Sequence, residues 1–231
     1  MNPYTKYKPA NLDWLINIPE HWEIKKLKYT ALVQPSNINK KSVEGEQEVL
    51  LCNYVDVYKN EFIDASIPFM KATATEDQIE KFVLKKGDVL ITKDSETPND
   101  IAVPALVVYE QENLICGYHL AQIRAQKDLT GTYLFRLFQS KDFNSNFEKA
   151  ANGITRYGLG VDNIKDVEII LPPKEEQIAI VKFLDDKLKQ LDLLIKKNNL
   201  IFGASDRKSG LLKEYRETLI SEAVTGKIYV V

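Results

Sequence analysis

The feature that most constrains the fold is a helix start followed by a seam of apolar residues in the last third of the chain. Two consecutive prolines, Pro172 and Pro173, end the preceding element, because proline has no backbone N–H to donate. Pro173 suits the first turn of a helix, and the two glutamates that follow Lys174 complement the positive end of the helix dipole. Apolar residues then recur at alternating steps of three and four: Val181, Leu184, Leu188, Leu191 and Ile195. This narrow seam predicts a C-terminal helix that packs against another helix.

The predicted helix runs from Lys174 to Phe202, and Asn198 interrupts the seam with a polar residue that can fix register. A stretch with glycine at each end, residues 203–210, then breaks the pattern before Leu211–Val224 resumes it. The sequence leaves two outcomes open, a long extended coiled-coil helix or a helical hairpin in which the second piece folds back.

Residues 1–171 are predicted to form a mixed α/β domain in which short strands come first and helices follow, so the fold class is α+β. An irregular arm, residues 1–20, opens the domain, with Trp14 and Trp22 as packing anchors. Predicted strands are Glu48–Leu51, Tyr54–Tyr58, Asp88–Thr92, Ala102–Tyr109, Leu114–Cys116, His119–Arg124 and Val167–Leu171. Predicted helices are Glu76–Leu84, Thr130–Gln139 and Lys141–Ala151. Residues 172–231 form the separate helical region.

Composition excludes several classes of protein. The 231 residues are 44% hydrophobic, enough for one globular core, but they contain no apolar run long enough to cross a membrane and no N-terminal signal segment. Cys52 and Cys116 are too few for a disulfide framework or a four-ligand metal site, so we expect buried thiols in a reducing cytoplasm. The net charge of −2 means that any nucleic acid must be bound by a local face of the protein.

Motifs for enzymatic chemistry are missing from the sequence. The one Pro-Pro pair is followed by lysine, not by the aromatic residue with which an adenine methyltransferase holds its base. The run at 203–209 resembles a phosphate-binding loop but has Arg207 where the second glycine belongs. Two histidines, His21 and His119, are too few for a zinc site, and His119 is interpreted as a core residue. We therefore predict no catalytic residue, no metal and no cofactor.

A glycine-rich loop around residues 152–160 is the first candidate binding site. Thr155, Arg156 and Tyr157 lie among glycines that let a backbone approach another surface closely. Arginine can pair with guanine through two hydrogen bonds or clamp a phosphate, and tyrosine can stack or donate to phosphate. The residues alone are equally consistent with an ordinary surface loop.

A polar loop that leaves a predicted buried strand at Thr92 is the second candidate. Its side chains carry donors and acceptors that could read base edges, and the candidates are Lys93, Ser95, Thr97 and Asn99. The alternative interpretation is a solvated turn.

Five segments of the chain carry a family resemblance. They are WLINIPEHWEIKKLK from Trp14, GYHL from Gly117, TRYGL from Thr155, LPPKEEQIAIVKFLDDKLKQLDLLI from Leu171 and LLKEYRETLISEAVTGKI from Leu211. In their order and spacing they resemble the specificity subunit of a type I restriction-modification enzyme, in a half-length form with one target-recognition domain and one helical region. Family members usually run through residues 203–210 as one helix, so the inserted glycines here depart from the pattern.

The resemblance implies a division of labour. Such a subunit recognises a bipartite site on double-stranded DNA, while separate modification subunits methylate adenine and separate restriction subunits translocate and cut. It also implies a cytoplasmic protein that is not itself an enzyme, and the seam predicts a homodimer through the C-terminal helix. The alternatives are a stand-alone DNA-binding regulator that dimerises through a coiled coil and a small enzyme that uses residues 1–171.

Overall fold

The computed structural model describes residues 3–202 and 207–230 and confirms the predicted α+β class. Its strands are β1 (Tyr7–Leu12), β2 (Leu15–Pro19), β3 (Glu23–Lys26), β4 (Ala31–Pro35), β5 (Gln47–Cys52), β6 (Phe62–Ile63), β7 (Met70–Ala74), β8 (Val89–Thr92), β9 (Asp94–Ser95), β10 (Pro104–Val107), β11 (Leu114–Cys116), β12 (Leu120–Ala125), β13 (Tyr157–Gly158) and β14 (Glu168–Leu171). Its helices are α1 (Tyr54–Lys59), α2 (Glu76–Phe82), α3 (Gly131–Gln139), α4 (Lys141–Ala150), α5 (Val161–Asp166), α6 (Lys174–Phe202) and α7 (Arg207–Val224).

A five-stranded sheet in the order β4-β12-β8-β10-β6 forms the centre of the molecule. Its pairs are antiparallel except β10 with β6, which is parallel. A second sheet, in the order β11-β5-β7, lies beside it, and three two-stranded pairs complete the strands: β1 with β2, β3 with β14, and β9 with β13.

Both faces of the central sheet are buried, because successive side chains of a strand point to opposite sides. On β8, Val89 and Ile91 enter one hydrophobic core, which they share with the helices, and Leu90 enters another. The second core is closed by the three-stranded sheet, where Cys52 and Cys116 stand opposite each other in register. Both cysteines are fully buried as predicted, and burial raises the pKa of each thiol.

The apolar seam of α6 is covered within the same chain, because α7 folds back against α6 as a helical hairpin. Leu184, Leu188 and Leu191 are buried in the main core together with Leu219 and Ile220 of α7. Asn198, the polar interruption of the seam, donates to the Ser209 hydroxyl across the hairpin at 2.7 Å.

The prediction treated this seam as unpaired within the chain, and that assumption is wrong. Val181 and Ile195 are half-buried, and the three leucines between them already pack inside this chain. The hairpin alternative is the observed one, although residues 203–206 of the predicted glycine break lie outside the described residues. The helical region also shares the main core with α3 and α4, so the two predicted regions are packed as one body.

The start of α6 is a junction where both ends of the chain meet. The carboxylate of Glu176 accepts hydrogen bonds from the Tyr4 hydroxyl at 2.8 Å and the Trp22 indole N–H at 2.9 Å, and the His21 ring contacts its other oxygen. Burial, and secondly the bond to Glu176, raise the pKa of Tyr4, which keeps its hydroxyl a donor. The Tyr7 hydroxyl donates to the Gly226 carbonyl at 2.9 Å, which ties the arm to the end of α7.

Gln177, the next residue, connects the junction to the start of α3. Its side chain is fully buried, accepts from the backbone N–H and hydroxyl of Thr130, and donates to the carbonyls of Asp128 and Pro172. Thr130 is also the N-cap of α3, where its hydroxyl accepts from the Tyr133 N–H. One glutamine thus fixes α6 against the start of α3 through three hydrogen bonds, while the fourth, to Pro172, is local to the start of α6.

Gly226 closes the junction from the C-terminal side. Its φ of +73° is in the left-handed region that glycine tolerates, and a Cβ there would lie 2.5 Å from the ring of Pro19 and 3.1 Å from that of Trp22. Three segments that carry the family resemblance, around Trp22, Glu176 and Gly226, therefore converge on this junction.

Two predicted elements were wrong. Tyr54–Tyr58 was predicted as a strand and is helix α1, because Asn53 and Asp56 form a capping box that starts a helix there. The arm at 1–20 was predicted as irregular, but residues 7–19 form the β1–β2 hairpin. Trp22 is buried, and Trp14 packs edge-on against Phe143, so both tryptophans are the anchors that were predicted.

Among the described residues, no helix combines the length and apolar character needed to cross a membrane.

Candidate nucleic-acid interface

The two loops predicted separately from the sequence lie side by side. Strand β13 pairs antiparallel with β9, so that Tyr157 stands opposite Ser95 and Gly158 opposite Asp94. The Leu159 N–H extends the pairing by donating to the Lys93 carbonyl at 2.8 Å. The backbone itself therefore joins the loop at 93–100 to the loop at 152–158.

The second loop is a tight turn that presents its tip to solvent. Asn152 and Gly158 exchange two backbone hydrogen bonds, of 3.1 and 2.9 Å, which close its base. Gly153 has φ +153°, and a Cβ there would lie 1.9 Å from the Arg156 carbonyl oxygen, so the turn requires glycine. As a result Ile154, Thr155 and Arg156 are exposed, with Ile154 at 93%.

A cleft of about 760 Å³ lies between these loops and α1. The lining residues are Tyr54, Tyr58, Asp94, Ser95, Glu96, Thr97, Asp100, Thr155 and Arg156. Four of them are predicted site residues: Ser95, Thr97, Thr155 and Arg156. The cleft thus combines an arginine, three carboxylates, hydroxyl groups and two aromatic rings in one concave surface.

The other three predicted residues lie outside this cleft. The Lys93 ammonium is 3.4 Å from the Asp94 carboxylate and 5.1 Å from the centre of the Tyr118 ring, and its side chain is only 18% exposed. Asn99 is exposed and lines a neighbouring depression between the loop at 93–100 and α4. Tyr157 is half-buried and packs against the main core.

Ser95 lines the cleft, but its side chain stabilises the turn at residues 95–97. Its side chain is buried, and its hydroxyl accepts from the Thr97 backbone N–H at 3.2 Å. Thr97 and Thr155 are exposed at the rim, where their hydroxyl groups are free to contact a ligand.

His119 lies behind the cleft lining, in contact with Asp94 and Arg156, and is not the core histidine that was predicted. Its φ is +69°, its side chain is 28% exposed, and its Nδ1 lies 2.6 Å from an oxygen of Asp94. The Arg156 guanidinium lies 3.4 Å from the same nitrogen. Because one ring nitrogen cannot donate and accept at once, we assign the shorter contact as an N–H donated to Asp94 and the longer one as packing.

Two aromatic residues of the site, Tyr54 and Tyr58, escaped the sequence analysis. They are one helical turn apart on α1, with ring centres 5.7 Å apart and planes inclined by 14°. The Tyr58 hydroxyl donates to the Asp100 carboxylate at 2.8 Å, and this bond raises the pKa of Tyr58. Burial raises the pKa of Tyr54. The capping signal at Asn53 and Asp56 would have revealed the helix, and with it the spacing of the pair.

Comparison with known proteins agrees with this architecture. The family described as the type I restriction modification DNA specificity domain matches residues 19–201. The chain belongs to this family. The matched range of the specificity domain includes the junction around Glu176, the cleft and nearly all of α6.

Curated relatives of this specificity domain extend the match. A putative type I restriction enzyme MjaX specificity subunit of Methanocaldococcus jannaschii is 26% identical over 175 residues, which cover 73% of this chain and 40% of that protein. The type I restriction enzyme EcoKI specificity subunit of Escherichia coli is 23% identical over 219 residues, which cover 88% of this chain and 45% of that protein. The chain therefore spans somewhat less than half the length of these relatives.

Solved structures share the fold. A chain from a study of complex assembly and conformational transition in the type I R-M system superposes with a TM-score of 0.60 and 17% identity, over 96% of this chain and 49% of that one. The HsdS subunit from Thermoanaerobacter tengcongensis gives 0.51 and 20%, over 96% and 48%. At these identities the likeness concerns the fold.

Proposed function

We propose that the chain is the DNA-recognition subunit of a type I restriction-modification complex and reads one half of a bipartite site on double-stranded DNA. The observation that carries the proposal is the convergence of two loops, 93–100 and 152–158, on one exposed cleft. A rigid scaffold that positions polar loops is the usual arrangement of a recognition site. Family membership favours this function over a stand-alone regulator or a small enzyme.

In this proposal the chain catalyses no reaction. Partner modification subunits methylate adenine and partner restriction subunits cut the DNA, both in the cytoplasm, and the chain directs them to the site. Neither a cofactor nor a metal is required of this subunit.

We further propose that two copies of the chain associate through the helical hairpin. The seam leucines are already buried, so the contact must use the apolar side chains that the hairpin leaves exposed. These are Leu193, Leu194, Leu200, Ile201, Leu211 and Tyr215, each at least 51% exposed. The chain covers less than half of each curated relative, so two copies would match one such relative in length.

The experiment that tests the function is mapping of methylated adenines in cells that carry this chain with its modification subunits. A twofold pair of identical recognition domains must read the same bases on opposite strands. We expect a split palindrome, in which a short half-site and its reverse complement flank a gap of unread bases. Absence of any methylated motif would contradict DNA recognition, and two unrelated half-sites would contradict the homodimer alone.

The length of the hairpin tests its role as the spacer. Seven residues added to α6 beyond Asp192, with seven added to α7 before its partner Arg216, keep both helices in phase and lengthen the hairpin by about 10 Å. The half-sites should be unchanged and the gap should change by a few base pairs. An unchanged gap would mean that the hairpin does not set the spacing.

A further inference from the structure

The charge of the cleft decides what kind of DNA group it accepts. Three carboxylates line it, from Asp94, Glu96 and Asp100, against the single cation of Arg156. Asp94 contacts Lys93 and His119. Within the described residues, Glu96 and Asp100 have no cation within ion-pair distance, so their charges remain uncompensated. A phosphate that entered this cleft would meet two unpaired negative charges, whereas phosphate contacts depend on positive charge.

Base edges have the opposite requirement. In the major groove, guanine presents two acceptors, N7 and O6, and its partner cytosine presents a donor, the N4 amino group. Arginine matches the acceptors of guanine through two parallel hydrogen bonds, and a carboxylate accepts from the cytosine amino group. A cleft that holds one arginine and free carboxylate oxygens therefore complements a base-pair edge and opposes a phosphate.

Asp100 is the carboxylate best prepared for this contact. Its Oδ2 accepts from the Tyr58 hydroxyl, and Tyr58 is held by stacking on Tyr54. Its Oδ1 has no hydrogen-bond partner among the described residues, and the residue is half-buried at the edge of the cleft. A group that is fixed before binding loses less conformational freedom when it binds. Glu96 is exposed and carries no such support.

We propose that the cleft reads base edges in the major groove, with Arg156 donating to a guanine and Asp100 accepting from the amino group of a cytosine, while phosphates are bound elsewhere on the protein. This inference rests on the proposed function and goes beyond it by assigning the contacts. It makes Arg156 and Asp100 specificity-determining residues and Tyr58 a positioning residue that acts through Asp100.

The test uses the chain assembled with its modification subunits and a duplex that carries the site found by methylation mapping. Asp100→Asn removes one negative charge without changing the size of the side chain. We expect affinity for the site to fall about tenfold, with selection relaxed at one G·C pair. If the cleft faced phosphate, the same change would strengthen binding to every duplex. The two hypotheses therefore predict effects of opposite sign.

Two further variants examine the contact from each side. Arg156→Lys keeps the charge but loses the paired donors, so discrimination at one guanine should fall about tenfold while the dependence of binding on salt concentration stays the same. Tyr58→Phe removes only the hydroxyl that orients Asp100 and should relax the same G·C position more weakly. Glu80→Gln, at an exposed position of α2 that does not line the cleft, makes the same charge change as Asp100→Asn and should leave affinity and selection unchanged.

The outcomes separate the two proposals. A mapped motif that all three cleft variants read with wild-type affinity and selection would overturn the base-reading assignment and leave the recognition function standing. Stronger binding of Asp100→Asn to all sequences would also overturn it, in favour of a phosphate contact. A wild-type complex that methylates no motif would overturn both. Thermal melting of each variant verifies that the fold is intact.

Discussion

The junction at the start of α6 and the cleft between the loops at 93–100 and 152–158 use similar side chains in opposite ways. At the junction, the Glu176 carboxylate and the Gln177 amide are enclosed, and every hydrogen bond they make is to another part of the same chain. In the cleft, Glu96 and Arg156 are exposed, and Arg156 has one long contact at 3.4 Å. The polar groups at the junction are thus hydrogen-bonded within the chain, whereas those of Glu96 and Arg156 in the cleft remain accessible to a ligand.

This difference shows why the motifs of the chain indicate a family but not a DNA sequence. The chain's own packing dictates the residues at the junction, since Gln177 must match two donors and two carbonyls and Gly226 must avoid a Cβ clash. The exposed side chains of the cleft are not constrained by packing in this way. The backbone of the loop at 152–158 requires Gly153, whereas the exposed Ile154 and Thr155 at its tip can change with little effect on packing.

The largest expected effect comes from charging the buried seam. Replacing Leu188 and Leu191 with glutamate places two unpaired charges in the main core, at a cost of at least about 5 kcal/mol in the free energy of unfolding. We expect an unfolded or molten protein in circular dichroism and denaturant titration, not a folded monomer.

The matched control for the seam changes two exposed leucines of the same helix. Replacing Leu193 and Leu194 with glutamate should leave the melting temperature unchanged, because the side chains are 62% and 52% exposed. Light scattering should show loss of the proposed dimer in this variant. A folded, dimeric protein carrying the buried pair of glutamates would contradict the hairpin packing.

A smaller loss is expected at the junction. Gln177→Ala removes four hydrogen bonds and leaves the buried Pro172 carbonyl, the half-buried Thr130 N–H and the Asp128 carbonyl without these partners, which should cost about 3 kcal/mol in the free energy of unfolding. Gln190→Ala, an exposed glutamine on the same helix, should cost nothing measurable. Equal free energies of unfolding for the two variants in urea titration would mean that the hydrogen bonds of Gln177 do not stabilise the fold.

The sequence predicted the packed core and the start of α6 more fully than it predicted the cleft. The start of α6, the buried thiols and the two tryptophan anchors follow from local rules of proline, polarity and burial. The partner of the α6 seam could not be predicted, because a seam specifies an apolar neighbour without saying whether it belongs to the same chain. The stretch 203–210, with glycine at each end, allowed a hairpin but did not require one.

The cleft was found only in halves. Each loop is recognisable from glycine and polar residues, but the β9–β13 pairing that joins them is only two residues long on each side and has no sequence pattern. Tyr54 and Tyr58 were missed because the two β-branched valines between them favoured a strand, while the capping box at Asn53 decided for a helix. Tertiary pairing and a cap therefore determined what local propensity could not.

In the cleft, loss of a side chain should affect binding and not the fold. Arg156→Ala removes an exposed guanidinium, so the melting temperature should match that of the wild type. Binding to the mapped site should weaken by roughly 1–3 kcal/mol, the value of a good contact to a base edge. A drop in the melting temperature would show that Arg156 stabilises the fold. Unchanged affinity with an unchanged melting temperature would remove it from the site.

The smallest effect on stability is expected from a surface ion pair. The Lys28 ammonium lies 2.6 Å from the Asp166 carboxylate, and their hydrogen bond lowers the pKa of Asp166. Both side chains are more than a third exposed, so solvent screening leaves the pair little weight. Asp166→Asn should therefore keep the melting temperature within about 2 °C of the wild type at neutral pH.

The dependence on pH distinguishes this pair from the buried junction. A carboxyl whose pKa is lowered by folding stabilises the fold above its unfolded pKa, and that contribution is lost as the pH falls through the lower, folded value. Any difference between Asp166→Asn and the wild type should thus vanish in acid, whereas the penalty of Gln177→Ala involves no proton at the substituted residue and should persist. The contrary outcome is a melting temperature many degrees lower for Asp166→Asn at neutral pH, with the difference gone in acid. It would show that this surface ion pair stabilises the fold more than the buried hydrogen bonds at the start of α6 do.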